Sequence, residues 1–181
     1  SYNRCAFCGM YRMKRFSVKP PERISADIEE AAQMGPRYRR LFLCDGDALI
    51  LSTDRLLAIL AQIRQHLPWI ERIGVYGDTR SVKNKSLEEL RALKQAGLSI
   101  VYHGLESGDD EVLALIDKGA TAKEAIAMAE KLRQAELTHS VIILLGAGGQ
   151  ALSRQHAIAS GQTVSAMNPR YVAALTVTLL E

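Results

Sequence analysis

The feature that most constrains the fold is a series of five short apolar runs that alternate with segments of helical periodicity. The runs lie roughly 30 residues apart, which is the size of one strand-plus-helix unit. They are continuously apolar rather than alternating, as expected for strands buried on both faces of a parallel sheet. The five predicted strands are 41–44, 73–76, 99–104, 140–146 and 171–179.

The segments between the runs carry signals for helix starts. Ser86 with Glu89, and Thr121 with Glu124, have the spacing of a capping box, in which each side chain bonds the other residue's backbone amide. Ser25 is the expected N-cap of an earlier helix, which a Gly-Pro pair ends. The chain is therefore predicted to alternate strands and helices along its length.

This alternation predicts either an open doubly wound sheet or a βα barrel, and we favour the barrel. A complete barrel of eight units needs about 250 residues, whereas this chain has 181. We therefore expect an α/β fold that is a partial (β/α)6 TIM-like barrel with parallel strands. Its first strand is expected upstream of Ser1, because Cys5 lies in a loop before the first predicted helix.

The composition is that of an ordinary globular chain, with 48% hydrophobic and 24% charged residues. We treat residues 1–181 as one core domain, and we expect a fragment truncated at both ends, because the chain begins without Met and ends on an apolar run. Three cysteines do not suit a secreted disulfide framework, which favours a cytoplasmic location. No apolar stretch is long enough to span a membrane, and a net charge of +3 leaves nucleic acid possible but not indicated.

Polar residues and glycines follow each predicted strand at its carboxyl end. In a βα barrel all these loops lie on one face, so their side chains are expected to converge on a small-molecule site. The cysteine loop, which would follow the upstream strand, opens on the same face. The residues so placed are Cys5, Cys8, Asp45, Gly46, Asp47, Asp78, Arg80, His103, Glu106, Ser107 and Gly146.

Several of these residues also have a purely structural interpretation. Cys5 and Cys8 could be half of a zinc site or a redox pair, and the turn at 45–47 could be only a turn. Ser107 is a candidate N-cap because acidic residues follow it. His103 is expected to be a packed, hydrogen-bonded residue. Glu106 fits a structural role less easily, because an acid at the end of a buried strand needs a partner.

Two further features have alternatives that the sequence leaves open. The glycines of 146–149 suit either a tight turn or a cradle of backbone amides around an anion. Cys44 lies within an apolar run and is expected to be a small buried hydrophobic residue.

Two stretches resemble one enzyme family. The segment CAFCGMY, 5–11, resembles the second half of the cluster motif of radical S-adenosylmethionine enzymes, and GLESGDDEVLALIDKG, 104–119, is similar to a stretch in its coproporphyrinogen oxidase-like and tRNA-modifying branch. The resemblance implies a [4Fe-4S] cluster, held by three cysteines, that reductively cleaves S-adenosylmethionine to a 5′-deoxyadenosyl radical. That radical would abstract hydrogen from a substrate that the sequence does not identify. An electron donor such as flavodoxin or ferredoxin is the implied partner.

The resemblance also implies roles for individual residues. Cys5 and Cys8 match the second and third cluster ligands, and Phe7 would shield the cluster or lie near adenine. Glu106, with Ser107 beside it, matches the acid that binds the ribose hydroxyls. The turn at Asp45, Gly46 and Asp47 corresponds to the Gly-Gly-Glu turn that holds the methionine amino group, and Leu145 with Gly146 to the segment along the adenine.

The first cluster cysteine is a departure from the family pattern. The common spacing would place it at position 1, which is Ser1 here, whereas a spacing of four intervening residues would place it immediately upstream. We favour the upstream position. Two other functions remain as alternatives: a phosphate-binding βα-barrel aldolase or isomerase, and a non-catalytic metal-binding module that uses Cys5 and Cys8.

Overall fold

The computed structural model describes residues 4–9, 11 and 16–178. Ser1 and residue 179, the last of the fifth predicted strand, lie outside the described residues. The strands are β1 Arg40–Leu43, β2 Arg72–Tyr76, β3 Leu98–Glu106, β4 Thr138–Leu145 and β5 Tyr171–Thr176. The helices are α1 Pro21–Gln33, α2 Thr53–His66, α3 Thr79–Lys83, α4 Leu87–Gln95, α5 Asp110–Leu115, α6 Ala122–Gln134 and α7 Ser153–Met167, with two short 3₁₀ turns at Gly35–Arg37 and Ala48–Ile50.

The five strands form one sheet in the order β1-β2-β3-β4-β5, and every neighbouring pair is parallel. A doubly wound sheet would reverse its order at the centre, whereas a sequential order with right-handed crossovers places the helices on one face, as in a barrel. The predicted parallel strands and their order are confirmed, but the expected burial on both faces is wrong for β5, which is exposed along its length. The sixth strand, expected upstream of Ser1, stays a prediction.

The core lies between this sheet and the helix layer. α2 contributes Leu56, Leu60 and Ile63, and α4 contributes Leu90 and Leu93, all of them at most 2% exposed. Their spacing puts them on one face of each helix. Because burying one such side chain contributes roughly 1.5–3 kcal/mol, this layer holds the strand ends in place. None of the helices in the described part of the chain is long and apolar enough to cross a membrane.

Both predicted capping boxes are present. The Glu89 carboxylate accepts from the Ser86 amide at 2.6 Å, and Ser86 Oγ accepts from the Glu89 amide at 3.1 Å. Thr121 and Glu124 repeat this arrangement at the start of α6. The starts of the two helices behind the sheet were therefore readable from the sequence.

The predicted start of α1 was wrong. The helix begins four residues before Ser25, at Pro21, because the fixed φ of proline suits the first helical turn, where no amide hydrogen is needed. Inside the helix, Ser25 Oγ donates to the Pro21 carbonyl at 3.1 Å and contacts Gln62 Oε1 at 2.9 Å. Ser25 thus joins α1 to α2.

The other face of the sheet carries an aromatic cluster. The rings of Phe42, Tyr76 and Tyr102, from three adjacent strands, have centroids 4.8–6.2 Å apart. Gly74 lies between them, and a Cβ there would be 3.0 Å from the Phe42 ring. The missing side chain therefore allows the rings to meet below the carboxyl ends of the strands.

Candidate functional site

A cavity of about 360 Å³ opens at the carboxyl ends of the strands. It is lined by the cysteine loop, the turn after β1, and the ends of β2, β3 and β4. Six of the residues that the sequence singled out as binding residues line it: Cys5, Phe7, Cys8, Gly46, Asp47 and Glu106. The convergence expected from strand order is therefore present.

The cysteine loop rests on the segment that follows α5. The Ala6 amide donates to the Ile116 carbonyl at 2.8 Å, and the Cys8 amide donates to the Cys5 carbonyl at 3.1 Å, which closes a turn. Both thiols are half-buried. Burial raises the pKa of Cys5 above its usual 9.0, and the nearby Lys118 ammonium opposes that rise. The turn brings both sulfur atoms to the same cavity.

Tyr11 ties this loop to the turn after β1. Its hydroxyl accepts from the Gly46 amide at 2.9 Å and donates to the Asp45 carboxylate. Gly46 has a φ of 54°, in the left-handed region that favours glycine. The hydrogen bond to Asp45 raises the pKa of Tyr11. Asp45 thus holds the turn through Tyr11, while its neighbour Asp47 lines the cavity.

Asp47 is a buried acid at the edge of the cavity. Burial, and then the nearby Asp78 carboxylate, raise the pKa of Asp47, while hydrogen bonds from Ser81 and the Asp78 backbone oppose the rise. Its Oδ1 atom is buried and has no hydrogen-bond partner among the described residues. A buried carboxylate oxygen without a donor favours a ligand that brings one.

Glu106 ends β3 with its carboxyl group in the cavity, and its partner is Lys118. Lys118 Nζ lies 3.3 Å from Glu106 Oε1, and both side chains are about 10% exposed. Burial raises the pKa of Glu106, and the Lys118 ammonium opposes that rise. A Cβ on Gly104 would lie 2.1 Å from Glu106 Oε1, so the carboxylate needs a glycine beneath it.

Lys118 is the charged residue of the described cavity lining that the sequence pattern did not identify. It lies within 104–119, the stretch that carries the family resemblance, but no chemistry was assigned to it. Its sequence distance from Glu106 gave no signal, because the two meet only through the fold of the segment around α5. A buried lysine at a cavity mouth is rare unless it is paired.

Ser107 does not line this cavity. It is fully buried and faces α7, with its Oγ 2.8 Å from His156 Nδ1. Its predicted N-cap role was wrong: the cap of α5 is Asp109, whose carboxylate accepts from the Val112 amide at 3.0 Å. Ser107 Oγ instead accepts from the Asp109 amide at 3.0 Å.

A second cavity of about 550 Å³ adjoins the first and shares Phe7 and Leu144 with it. Gly146, with a φ of 88°, lines this second cavity together with Ile116. Leu145 is 47% exposed and lines neither. Phe7 therefore stands between two cavities, of which only the first has charged side chains among its described lining residues.

Two structural expectations had opposite outcomes. His103 is buried, and its Nε2 is 3.0 Å from Thr79 Oγ1, which confirms a packed and hydrogen-bonded residue. Cys44 is exposed, so its predicted burial was wrong. The reason is that β1 ends at Leu43, which places Cys44 already in the loop.

The alternatives for the metal and anion sites find little support. No group of three or more His, Cys, Asp or Glu residues that could hold a metal ion is present within residues 4–9, 11 and 16–178, although a closed zinc site needs four ligands. In the glycine turn, the Ala147 amide donates to the Leu144 carbonyl and the Gly149 amide to the Gly146 carbonyl. Those amides are not available to an anion.

Comparison with known proteins identifies this arrangement. A family model described as the radical SAM superfamily matches residues 2–157. The mitochondrial lipoyl synthase of Candida tropicalis is 26% identical over 147 residues, which is 80% of this chain and 38% of that protein. The chain thus spans well under half the length of this curated relative.

Solved structures of the same fold include several enzymes named as users of S-adenosylmethionine radical chemistry. Coproporphyrinogen III oxidase from Escherichia coli has a TM-score of 0.73 at 15% identity, covering 99% of this chain and 42% of that one. The methyltransferase TsrM from Kitasatospora setae, with cobalamin and a [4Fe-4S] cluster bound, has a TM-score of 0.73 at 19% identity, covering 97% and 34%. These likenesses show the fold.

Proposed function

This chain belongs to the radical SAM superfamily, whose members are enzymes, and from that premise we propose that its cavity holds a [4Fe-4S] cluster and S-adenosylmethionine. Cys5 and Cys8 are two of three protein ligands to the cluster, and the third lies upstream of Ser1. When bound, the cluster supplies an electron that cleaves the sulfonium to give methionine and a 5′-deoxyadenosyl radical, which takes hydrogen from a substrate. The observation that carries the proposal is the convergence of both thiols with Asp47, Glu106 and Lys118 on one cavity.

The donor set of the cavity fits these groups. Thiolates are the ligands that iron–sulfur clusters take in proteins, and both cysteines are half-buried in the cavity wall. The described lining carries three carboxyl groups, from Asp47, Asp78 and Glu106, against the one ammonium of Lys118. S-adenosylmethionine carries a sulfonium and an ammonium against one carboxylate, so a lining with excess acid favours it electrostatically.

The methionine end of the ligand finds complementary groups. Asp47 Oδ1, buried and without a donor among the described residues, accepts from the ligand's ammonium. Lys118 Nζ, already 3.3 Å from Glu106, pairs with the ligand's carboxylate as well. The turn at Asp45 and Gly46 keeps Asp47 in place.

The nucleoside end lies toward Glu106 and the second cavity. The Glu106 carboxylate accepts hydrogen bonds from the two ribose hydroxyls, with Ser107 directly behind it. Adenine lies against Phe7, at the boundary between the two cavities. Its other neighbour is the backbone segment of Leu145 and Gly146. The largely apolar lining beside Phe7 and Leu144 suits a flat heterocycle.

For the reductant we propose only a chemical class, and for the substrate only a direction of approach. A small electron carrier of the flavodoxin or ferredoxin type is the expected donor, and a cytoplasmic location stays a prediction. The aromatic cluster of Phe42, Tyr76 and Tyr102 lies directly below the cavity, and Tyr76 and Tyr102 line it. The substrate is therefore expected to approach along the sheet face that the helices leave open.

Anaerobic reconstitution of the intact protein with iron and sulfide tests the proposal. We expect four irons per chain, the broad visible absorption of a [4Fe-4S] cluster, and production of deoxyadenosine from S-adenosylmethionine under reduction. A protein that binds zinc instead, or that cleaves a phosphorylated substrate without S-adenosylmethionine, would support one of the two alternatives. Either result would overturn the assignment.

A further inference from the structure

We propose that α7 acts as a latch that fixes the turn carrying Glu106, with His156 as its central positioning residue. This inference rests on the proposed role of Glu106 in binding S-adenosylmethionine. It assigns a function to a buried polar face of α7 that lines neither cavity. The residues of this latch are His156, Ser160 and Thr163 on the helix, and Ser107 and Gly108 on the turn.

The turn needs an external constraint. Glu106 has a φ of 65°, in the left-handed region that a residue with a side chain rarely adopts. The backbone at Glu106 therefore does not prefer the conformation that points its carboxylate into the cavity. Contacts from elsewhere in the fold must select that conformation.

α7 provides those contacts at three points. Ser107 Oγ lies 2.8 Å from His156 Nδ1. The Gly108 amide donates to Ser160 Oγ at 2.9 Å, and Thr163 Oγ1 donates to the Gly108 carbonyl at 3.2 Å. Both backbone groups of Gly108 are thus satisfied by one helix.

The helix also approaches the turn too closely for any side chain. A Cβ on Gly108 would lie 2.4 Å from the Ala159 carbonyl oxygen. His156, Ser160 and Thr163 are spaced by four and three residues, so they share one face of α7, and each is 5–6% exposed. A buried helix face this polar gives up apolar burial. Its side chains instead form hydrogen bonds that hold the loop in one conformation.

His156 Nδ1 lies between the two hydroxyls of the latch, 2.8 Å from Ser107 Oγ and 3.4 Å from Ser160 Oγ. Ser107 Oγ also accepts from the Asp109 amide, and Ser160 Oγ accepts from the Gly108 amide. One ring nitrogen therefore links the two side chains that bond the backbone of the turn.

The test uses the intact, reconstituted protein and matched variants. His156→Leu removes the ring nitrogen that contacts Ser107 Oγ, whereas His156→Asn keeps a polar amide close to the position of Nδ1. Ser160→Ala removes the acceptor for the Gly108 amide. Ser165→Ala is the matched control, because Ser165 Oγ bonds only the Gly161 carbonyl of its own helix in the described structure.

Two readouts separate positioning from mere support. Equilibrium binding of S-adenosylmethionine is expected to weaken about ten-fold in His156→Leu and Ser160→Ala, a change typical of one lost hydrogen bond, and to recover in His156→Asn. Hydrogen exchange of the Gly108 and Asp109 amides, measured without ligand, is expected to accelerate in the same two variants. Iron content stays at the wild-type level, and Ser165→Ala changes neither readout.

A double-mutant cycle with Glu106→Ala decides whether His156 acts through Glu106. We expect no further loss of affinity when His156→Leu is added to Glu106→Ala, because the oriented carboxylate is already gone. Additive losses, or lower thermal stability with unchanged affinity and exchange, would overturn the latch. If Glu106→Ala itself leaves affinity unchanged, the proposed role of Glu106 fails, and this inference fails with it.

Discussion

The two sides of the sheet treat buried polar groups in opposite ways. On the cavity side, Glu106 and Lys118 form an ion pair with both side chains about 10% exposed. On the helix side, the rings of His103 and His139 stack with centroids 5.5 Å apart. Burial is the largest cause that lowers the pKa of both histidines, for His139 to about 4.

This difference distinguishes a polar pair at a candidate binding site from polar residues that are only packed in the interior. An ion pair taken out of water costs more than a pair of apolar side chains of similar size, so its presence at a cavity wall indicates that ligand charges are to be met there. The histidines avoid that cost by staying neutral. His103 Nδ1 and both ring nitrogens of His139 have no partner in the described part of the chain. Buried polarity alone therefore does not identify the site, whereas paired charge beside thiols does.

The largest expected effect comes from the cysteines on the cavity side. Cys5→Ala or Cys8→Ala removes one of the three protein ligands that we propose for the cluster, so we expect loss of the cluster and of deoxyadenosine production. Iron analysis and a cleavage assay on the reconstituted protein measure both. Cys44→Ala is the matched control, because Cys44 is exposed and lines neither chamber. A Cys5 or Cys8 variant with four irons and normal cleavage would contradict the assignment.

Glu106 and Lys118 test whether the ion pair serves the ligand or the fold. Glu106→Ala leaves a buried ammonium unpaired, which destabilises the protein by roughly 3–5 kcal/mol. It also removes the hydrogen bonds that we propose between Glu106 and the ligand, and at roughly 1.5–3 kcal/mol we expect about a ten- to hundred-fold loss of affinity. Melting temperature and equilibrium binding are measured on the same sample.

A double variant separates the two contributions. Glu106→Gln with Lys118→Met removes both charges, so we expect thermal stability to recover while affinity stays low. Recovery of affinity together with stability would show that the pair only supports the structure. Glu106 would then be removed from the site.

The histidine stack predicts a dependence of stability on pH. A histidine whose folded pKa is lowered contributes stability that is complete above its unfolded pKa of about 6.5 and is lost as pH falls toward about 4 for His139. The shift corresponds to about 3 kcal/mol across that window. The raised pKa values of Glu106 and Asp47 act in the opposite direction, so only a comparison with a variant isolates the histidine.

Denaturant unfolding of wild type and His139→Phe between pH 7 and pH 4 provides that comparison. We expect the difference in free energy of unfolding between the two proteins to change in favour of the variant as pH falls. His66→Ala, an exposed histidine on α2, should leave the profile unchanged. Parallel pH profiles for wild type and His139→Phe would mean that folding does not lower the pKa of His139.

The sequence predicted the fold well because each strand is a local apolar run, and because α4 and α6 begin at capping boxes that are visible in the sequence. It also placed Asp47 and Glu106 correctly at the mouth, since strand ends share one edge of a parallel sheet. Individual side chains were harder to place. On β4 the cavity side is taken by Leu144, not Leu145, because a continuous apolar run gives no alternation from which to read its faces.

Contacts between side chains that are distant in sequence could not be predicted from the sequence pattern. Lys118 meets Glu106, and Ser107 turns away toward His156, through contacts that depend on how α5 and α7 pack. The register of β3 against β4 shifts between Gly104 and Glu106, which changes the local backbone beyond what spacing can predict. The site could therefore be located from sequence, but its hydrogen bonds could not be assigned.

The smallest expected effect tests a contact of that kind, at Tyr11. Its hydroxyl joins the cysteine loop to the turn before Asp47 through Gly46 and Asp45. Tyr11→Phe keeps the ring and removes both bonds, each worth roughly 0.5–1.5 kcal/mol or somewhat more to the charged group. We expect iron content to stay at the wild-type level, because Cys5 and Cys8, the proposed cluster ligands, are unchanged.

Affinity for S-adenosylmethionine should instead fall by roughly three- to ten-fold, because the turn that holds Asp47 loses its tie to the cysteine loop. Tyr38→Phe, at an exposed tyrosine away from both chambers, is the matched control. Loss of iron in Tyr11→Phe would show that the tyrosine holds the cysteine loop rather than the turn. Unchanged affinity and iron would show that the two segments keep their positions without it, and that the cavity side needs only its thiols and its ion pair.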